Sequence, residues 1–172
     1  MTKAANGCVR RELEAALAFL EEAYDRRSDR TIDHSLDVAQ MLASEGQPLA
    51  VVIAGLLHDV VEDTRVTAGE LRERFGAEVA DIVAALTEDE GIADYEARKA
   101  ALRRRTVAAG REAAKVALAD KLSKVAGLES RPGPRRLAHY RATLDAVEAA
   151  YGPSPLSTRL REQLDRWPDP AS

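Results

Sequence analysis

An all-α fold, a bundle of about eight or nine helices, is predicted by three features of this 172-residue chain. Ala, Leu and Val dominate an apolar fraction of 45%, while aromatics make up only 4%, a mix that favours helices over sheets. Apolar residues recur at helical spacing from end to end, and no stretch alternates apolar and polar residues as a half-buried strand would. Gly and Pro punctuate the pattern at intervals that suit helix ends.

In order along the chain, Leu13, Leu17 and Leu20 set one face of a first helix over Arg10 to Tyr24. A polar loop follows, from Asp25 to Arg30. A second helix starts near His34 and stops at Glu45-Gly46, and Pro48 opens a third. This third helix, LAVVIAGLLHDVVED, is apolar all round in its first half, as a central buried helix is. Thr67-Ala68-Gly69-Glu70 reads as a capping box and Gly76 as the stop of the short helix behind it. Further helices are expected over about Ala77 to Glu88, Ala93 to Ala109 and Glu112 to Gly127. RPGPRR reads as a turn cluster, and helices over Arg135 to Tyr151 and Leu156 to Arg166 complete the set. Residues 1–172 are expected to form one domain, with a core of about 10–166 and a short C-terminal tail.

Charge and cysteine content narrow the function. Lys and Arg total 25 against 29 acidic residues, a net charge of -4, which argues against a domain that coats nucleic acid. With Cys8 the one cysteine, neither a disulfide framework nor a thiolate zinc site can form. There is no run of 18 apolar residues and no signal-peptide core in MTKAANGCVRRELE, so a soluble, cytoplasmic protein without a membrane partner is expected.

The strongest local signal is His58-Asp59-Val60-Val61-Glu62-Asp63, attached to an apolar helix. Helical spacing makes neighbours of His58 and Glu62, and of Asp59 and Asp63. Buried carboxylates cost several kcal/mol each unless something positive compensates. Either the helix surfaces here and the acids are solvated, or a divalent metal sits among them. Two other residues favour the metal. Asp120 is alone in the apolar run KVALADKL, and His34 lies where a ligand would point into the bundle. Two imidazoles and two carboxylates suit manganese, iron, zinc or magnesium better than calcium.

Together these residues carry a resemblance. His34, His58-Asp59 and Asp120 on a helical chain resemble the HD phosphohydrolase superfamily. The string GLLHDVVEDTRVTAGELRERFGAEVADIVAALTED, followed by VALADKL, is similar to the hydrolase domain of RelA/SpoT-type alarmone enzymes, and its size to the stand-alone small alarmone hydrolases. The resemblance runs from about Ala23 to Leu164. It implies an HD-domain helical bundle with His34, His58, Asp59 and Asp120 as metal ligands and Glu62 and Asp63 as the catalytic acid pair. It also implies one Mn2+ per chain, with other divalent metals compatible. The activity it implies is removal of the 3′-pyrophosphate from guanosine tetra- or pentaphosphate, leaving GDP or GTP. Arg26, Arg27, Lys99, Lys121 and Tyr140 fall where the family contacts its nucleotide, and Arg98 adjoins Lys99. Arg103, Arg104 and Arg105 are expected on the surface, and His139 in a structural or exposed position.

The chain departs from the family at three places. Lys124 replaces an Asn near the substrate ribose, Ser35 replaces a Pro, and the loop before His34 is shortened. A lysine cannot accept a hydrogen bond from a ribose hydroxyl but can pair with a phosphate, so Lys124 joins the substrate-binding set. It also opens an alternative: a hydrolase acting on another nucleotide, such as an adenine alarmone. A non-catalytic nucleotide-binding module is disfavoured by the presence of both Glu62 and Asp63. Nothing in the sequence sets the oligomeric state.

Overall fold

The computed structural model describes residues 3–24, 29–126, 128 and 130–167. Among them are ten α-helices and no strand. The all-α expectation therefore holds. The chain divides into two compact units, residues 1–87 and 88–172.

The first unit contains α1 (Lys3–Ala23), α2 (Asp29–Ser44), α3 (Leu49–Leu56), α4 (Val60–Asp63), α5 (Ala68–Phe75) and α6 (Ala77–Leu86). Helix α3 is its centre, with α1, α2 and α6 packed around it. Six of its eight residues are buried, as its all-apolar sequence requires. Gly55 sets how close α2 comes. A Cβ at that position would lie 2.3 Å from Leu42 Cδ1 and 3.3 Å from Val38 Cγ1, so only a hydrogen fits. Helix α5 starts at the expected capping box, with the Thr67 hydroxyl accepting from the Glu70 amide and the Glu70 side chain accepting from the Thr67 amide. Gly76 ends it with φ of 90°, a conformation that favours glycine, and α6 folds back along α5.

The second unit contains α7 (Tyr95–Ala108), α8 (Arg111–Val125), α9 (Pro134–Tyr151) and α10 (Pro155–Asp165). Here α8 is the core element, with α7, α9 and α10 all packed on it. Ten of its fifteen residues are buried, among them two that are charged, Asp120 and Lys121. Arg141 of α9 donates to the carbonyls of Leu164 and Trp167 at 2.9 and 2.8 Å and so ties down the end of α10.

Several boundaries differ from expectation. Helix α1 starts at Lys3 rather than Arg10. Helix α2 starts at Asp29, so His34 lies in its second turn and not at its first residue. Pro134 is the first residue of α9 and not part of the preceding turn, because a ring-fixed φ and a missing N–H cost nothing there. The expected continuous helix from Leu49 to Asp63 is broken at 57–59, and the break carries two of the candidate site residues.

Candidate active site and metal centre

The break between α3 and α4 has an identifiable partner. An unbroken α-helix offers the carbonyl of residue 55 to the amide of residue 59. Here the His58 ring reaches back to it, with Nδ1 2.8 Å from the Gly55 oxygen. A carbonyl can only accept, so Nδ1 carries the hydrogen and a neutral His58 presents the lone pair of Nε2. That nitrogen lies 3.1 Å from Asp59 Oδ2. Two electron pairs so close repel unless a cation lies with them. The His58 side chain is buried and that of Asp59 is 24% exposed. Asp59 stands at the N-cap of α4, yet its carboxylate makes no capping bond there.

Helix α2 brings a second imidazole. The rings of His34 and His58 have centroids 5.2 Å apart, inclined at 68°. One donor atom each from His34, His58 and Asp59 lies within 4.8 Å of the others. An imidazole that donates through one nitrogen to a backbone carbonyl and offers the other to a carboxylate-bearing cluster is the usual disposition of a metal-ligating histidine. The donor set is therefore chemically suited to a divalent metal, as nitrogen and oxygen ligands with no thiolate.

Glu62 and Asp63 follow on α4 and are exposed. The amides of both bond back to the Asp59 carbonyl, at 3.1 and 2.9 Å, which fixes the two acids one turn beyond Asp59. Asp63 accepts a hydrogen bond from the hydroxyl of Tyr24, just beyond the end of α1, at 3.1 Å. Tyr24 escaped the sequence reading because 39 residues separate it from Asp63. Burial, and then the charges of Asp63, Asp59 and Glu62, hold its phenol far above the ordinary value, so it stays protonated. A cleft of about 810 Å3 opens beside this pair, lined by Tyr24, Asp63, Thr64, Arg65 and Glu70 among others.

The other described candidates lie in the second unit, within a network of charged residues. Asp120 is 4% exposed. Lys121 Nζ lies 2.6 Å from its Oδ2 and Lys124 Nζ 2.7 Å from its Oδ1. Each carboxylate oxygen thus has an ammonium partner, which offsets the cost of burying it. Lys121 is itself buried, whereas the Lys124 side chain is 37% exposed. Tyr140 is buried, and its phenol is pushed up to about 12 by burial and by the Asp120 charge. Lys99 pairs with Glu88, and Arg98 holds the same carboxylate at 2.7 Å. Burial pushes the Glu88 carboxyl up, but the bonds from Lys99 and Arg98 outweigh it and hold it below its usual range. Arg98, Lys99 and Arg135 also lie over the Tyr95 ring, at 5.8, 5.5 and 5.9 Å.

His139 is buried rather than exposed, and Arg103, expected on the surface, lies with a guanidinium nitrogen 3.1 Å from its Nδ1. Arginine can only donate, so Nδ1 accepts and His139 is neutral with its hydrogen on Nε2. Burial, with Lys121, Lys99 and Arg103 nearby, lowers its pKa to about 3. Arg26 and Arg27 lie outside the described residues. Among the described residues, no helix is long and apolar enough to cross a membrane.

Comparison with known proteins adds the family. A guanosine-3′,5′-bis(diphosphate) 3′-pyrophosphohydrolase of Aquifex aeolicus is 36% identical over 168 residues, covering 91% of this chain and 23% of that protein. The MESH1 guanosine-3′,5′-bis(diphosphate) 3′-pyrophosphohydrolase of Xenopus tropicalis is 38% identical over 124 residues, covering 68% of this chain and 69% of that one. The chain spans about a fifth to a quarter of the long curated relatives it matches first. A solved structure described as a metazoan ortholog of SpoT that hydrolyzes ppGpp covers 90% of this chain and 94% of its own, with a TM-score of 0.75 at 22% identity. At that identity the likeness concerns the fold. The model of the HD domain matches residues 13–146, a stretch that takes in both site histidines, Asp59, the acid pair and Asp120, and the chain belongs to the HD-domain family.

Proposed function

We propose that the protein is a metal-dependent phosphohydrolase that removes the 3′-pyrophosphate of ppGpp and pppGpp, with His34, His58, Asp59 and Asp120 as ligands of one Mn2+. The observation that carries this is the pairing of His58 Nε2 with the Asp59 carboxylate beside His34, with two acids one turn further along. Relatives of this chain that bear the name of that activity support the choice of substrate. For Asp120 the support is the match to the HD domain, which takes in this residue, since the cost of its burial is already offset by Lys121 and Lys124.

When bound, a divalent cation supplies Lewis acidity toward a phosphoryl oxygen and toward the attacking water. The chain's own residues do the rest. Glu62 and Asp63, exposed and one turn beyond Asp59, orient the water and take its proton as the new P–O bond forms. The bond from phosphorus to the ribose 3′ oxygen breaks. That oxygen takes up the proton that Glu62 and Asp63 removed from the water and leaves as the 3′ hydroxyl, and pyrophosphate is released without a covalent intermediate. Lys99, Lys121 and Lys124 neutralise the substrate's phosphates, Tyr140 lines the nucleotide site, and Arg26 and Arg27 belong to the same set. An acidic chain with one thiol fits a cytoplasmic enzyme that acts on a small nucleotide and has neither nucleic acid nor membrane as partner.

A second substrate is favoured by one observation. Lys124, in place of the family's Asn, is held on Asp120 and brings a positive charge to where a ribose contact is expected. An adenine alarmone would then compete with ppGpp. Turnover in 18O-labelled water separates the alternatives. The proposal predicts GDP and pyrophosphate from ppGpp, with the label in pyrophosphate. Label in the nucleotide, or turnover of the adenine alarmone alone, would contradict it.

A further inference from the structure

We infer that Tyr24 is a positioning residue for the reaction, its hydroxyl holding the Asp63 carboxylate in the orientation needed to handle the attacking water. This rests on the role proposed above for Asp63.

Asp63 ends a helix of a single turn and is exposed, so nothing in α4 itself restrains its side chain. Tyr24 stands on firmer ground. It follows a helix of 21 residues whose last turns bury Ala16, Phe19 and Leu20, and its amide bonds to the Leu20 carbonyl at 3.1 Å. The hydroxyl bond to Asp63 Oδ2 therefore ties a loosely supported carboxylate to the rigid end of α1. One oxygen of Asp63 is engaged and its direction set, leaving the other oriented for the water. The phenol, kept protonated by burial and by three neighbouring carboxylates, serves as a donor and not as a base. The cleft beside the pair carries two further charged groups, Arg65 and Glu70, and neither duplicates the tyrosine's bond.

Tyr24→Phe removes the hydroxyl and keeps the ring. Melting temperature, bound metal and the KM for ppGpp should stay as in the wild type, while kcat falls about tenfold, the size of one charge-assisted hydrogen bond expressed in the transition state. In an Asp63→Asn background the same substitution should have little further effect on kcat, because Tyr24 acts through Asp63. A merely structural tyrosine would lower the melting temperature and act additively. The 13C resonance of the Asp63 carboxyl gives a readout that needs no turnover: it should move in Tyr24→Phe. A wild type that turns over ppGpp with kcat unchanged in Tyr24→Phe would overturn the inference, as would an additive loss in the double variant. If the wild type leaves ppGpp intact, the substrate assignment fails on its own, and an Asp63 resonance unmoved in Tyr24→Phe then overturns the Tyr24 contact separately.

Discussion

Asp120 is a buried acid whose charge is balanced within its own helix. Solitary in an apolar run, it was expected to need a compensating cation, and the second unit supplies two ammonium groups from its own helix, one on each oxygen. The buried acid was legible in the sequence because an isolated charge in KVALADKL is costly wherever it points. That Lys124 would take one of its oxygens was not, since the i, i+4 geometry competes with a phosphate for the same ammonium. His139 is the opposite case. It looked incidental and is buried neutral beside Arg103, with Lys99 and Lys121 nearby. Its folded pKa is depressed from 6.5 to about 3, so in acid the unfolded chain binds a proton that the folded chain refuses. Its contribution to stability is complete above pH 6.5 and is lost as pH falls from there toward about 3. Melting curves between pH 7 and 4 should show a shallower acid decline in His139→Gln than in the wild type, and parallel curves would refute the assignment.

The helices whose ends are set by local chemistry were the legible ones. The box of Thr67 with Glu70 and the stop at Gly76 depend on neighbours within a turn, and each is where the sequence places it. The break at 57–59 depends instead on a histidine ring taking a backbone carbonyl, which no hydrophobic period records. Packing between α2 and α3 carries the same lesson into the site. His34 rides on α2, while His58 follows α3, and Gly55 both allows the close approach of the two helices and supplies the carbonyl that orients His58. Gly55→Ala would drive a methyl into the fully buried Leu42 and should cost about 1–3 kcal/mol, with a weaker affinity for divalent metal as α2 is pushed outward. Urea unfolding and a metal titration on the same sample check both effects. A variant as stable as the wild type would mean that the helices are not in the contact described.

Across the whole chain, the ligands proposed for the metal come from residues 34, 58 and 59 of the first compact unit and 120 of the second. Sequence spacing alone does not assemble so dispersed a set. Its members were legible as polar residues in apolar surroundings and, as one set, through the family resemblance, and three of them are seen together within the first unit. Net charge, by contrast, is a poor guide to the site, because a chain at -4 gathers Arg98, Lys99 and Arg135 around Tyr95 and sets Lys121 and Lys124 on Asp120. The most direct measurement is ppGpp turnover as Mn2+ is returned to chelator-stripped protein, with products separated by anion exchange and Asp59→Ala run alongside. Turnover to GDP and pyrophosphate should rise with bound Mn2+, level off at one ion per chain, and be absent from the folded variant at every concentration. Full turnover by the stripped protein, or equal rates in Asp59→Ala, would contradict a hydrolase built on this metal site.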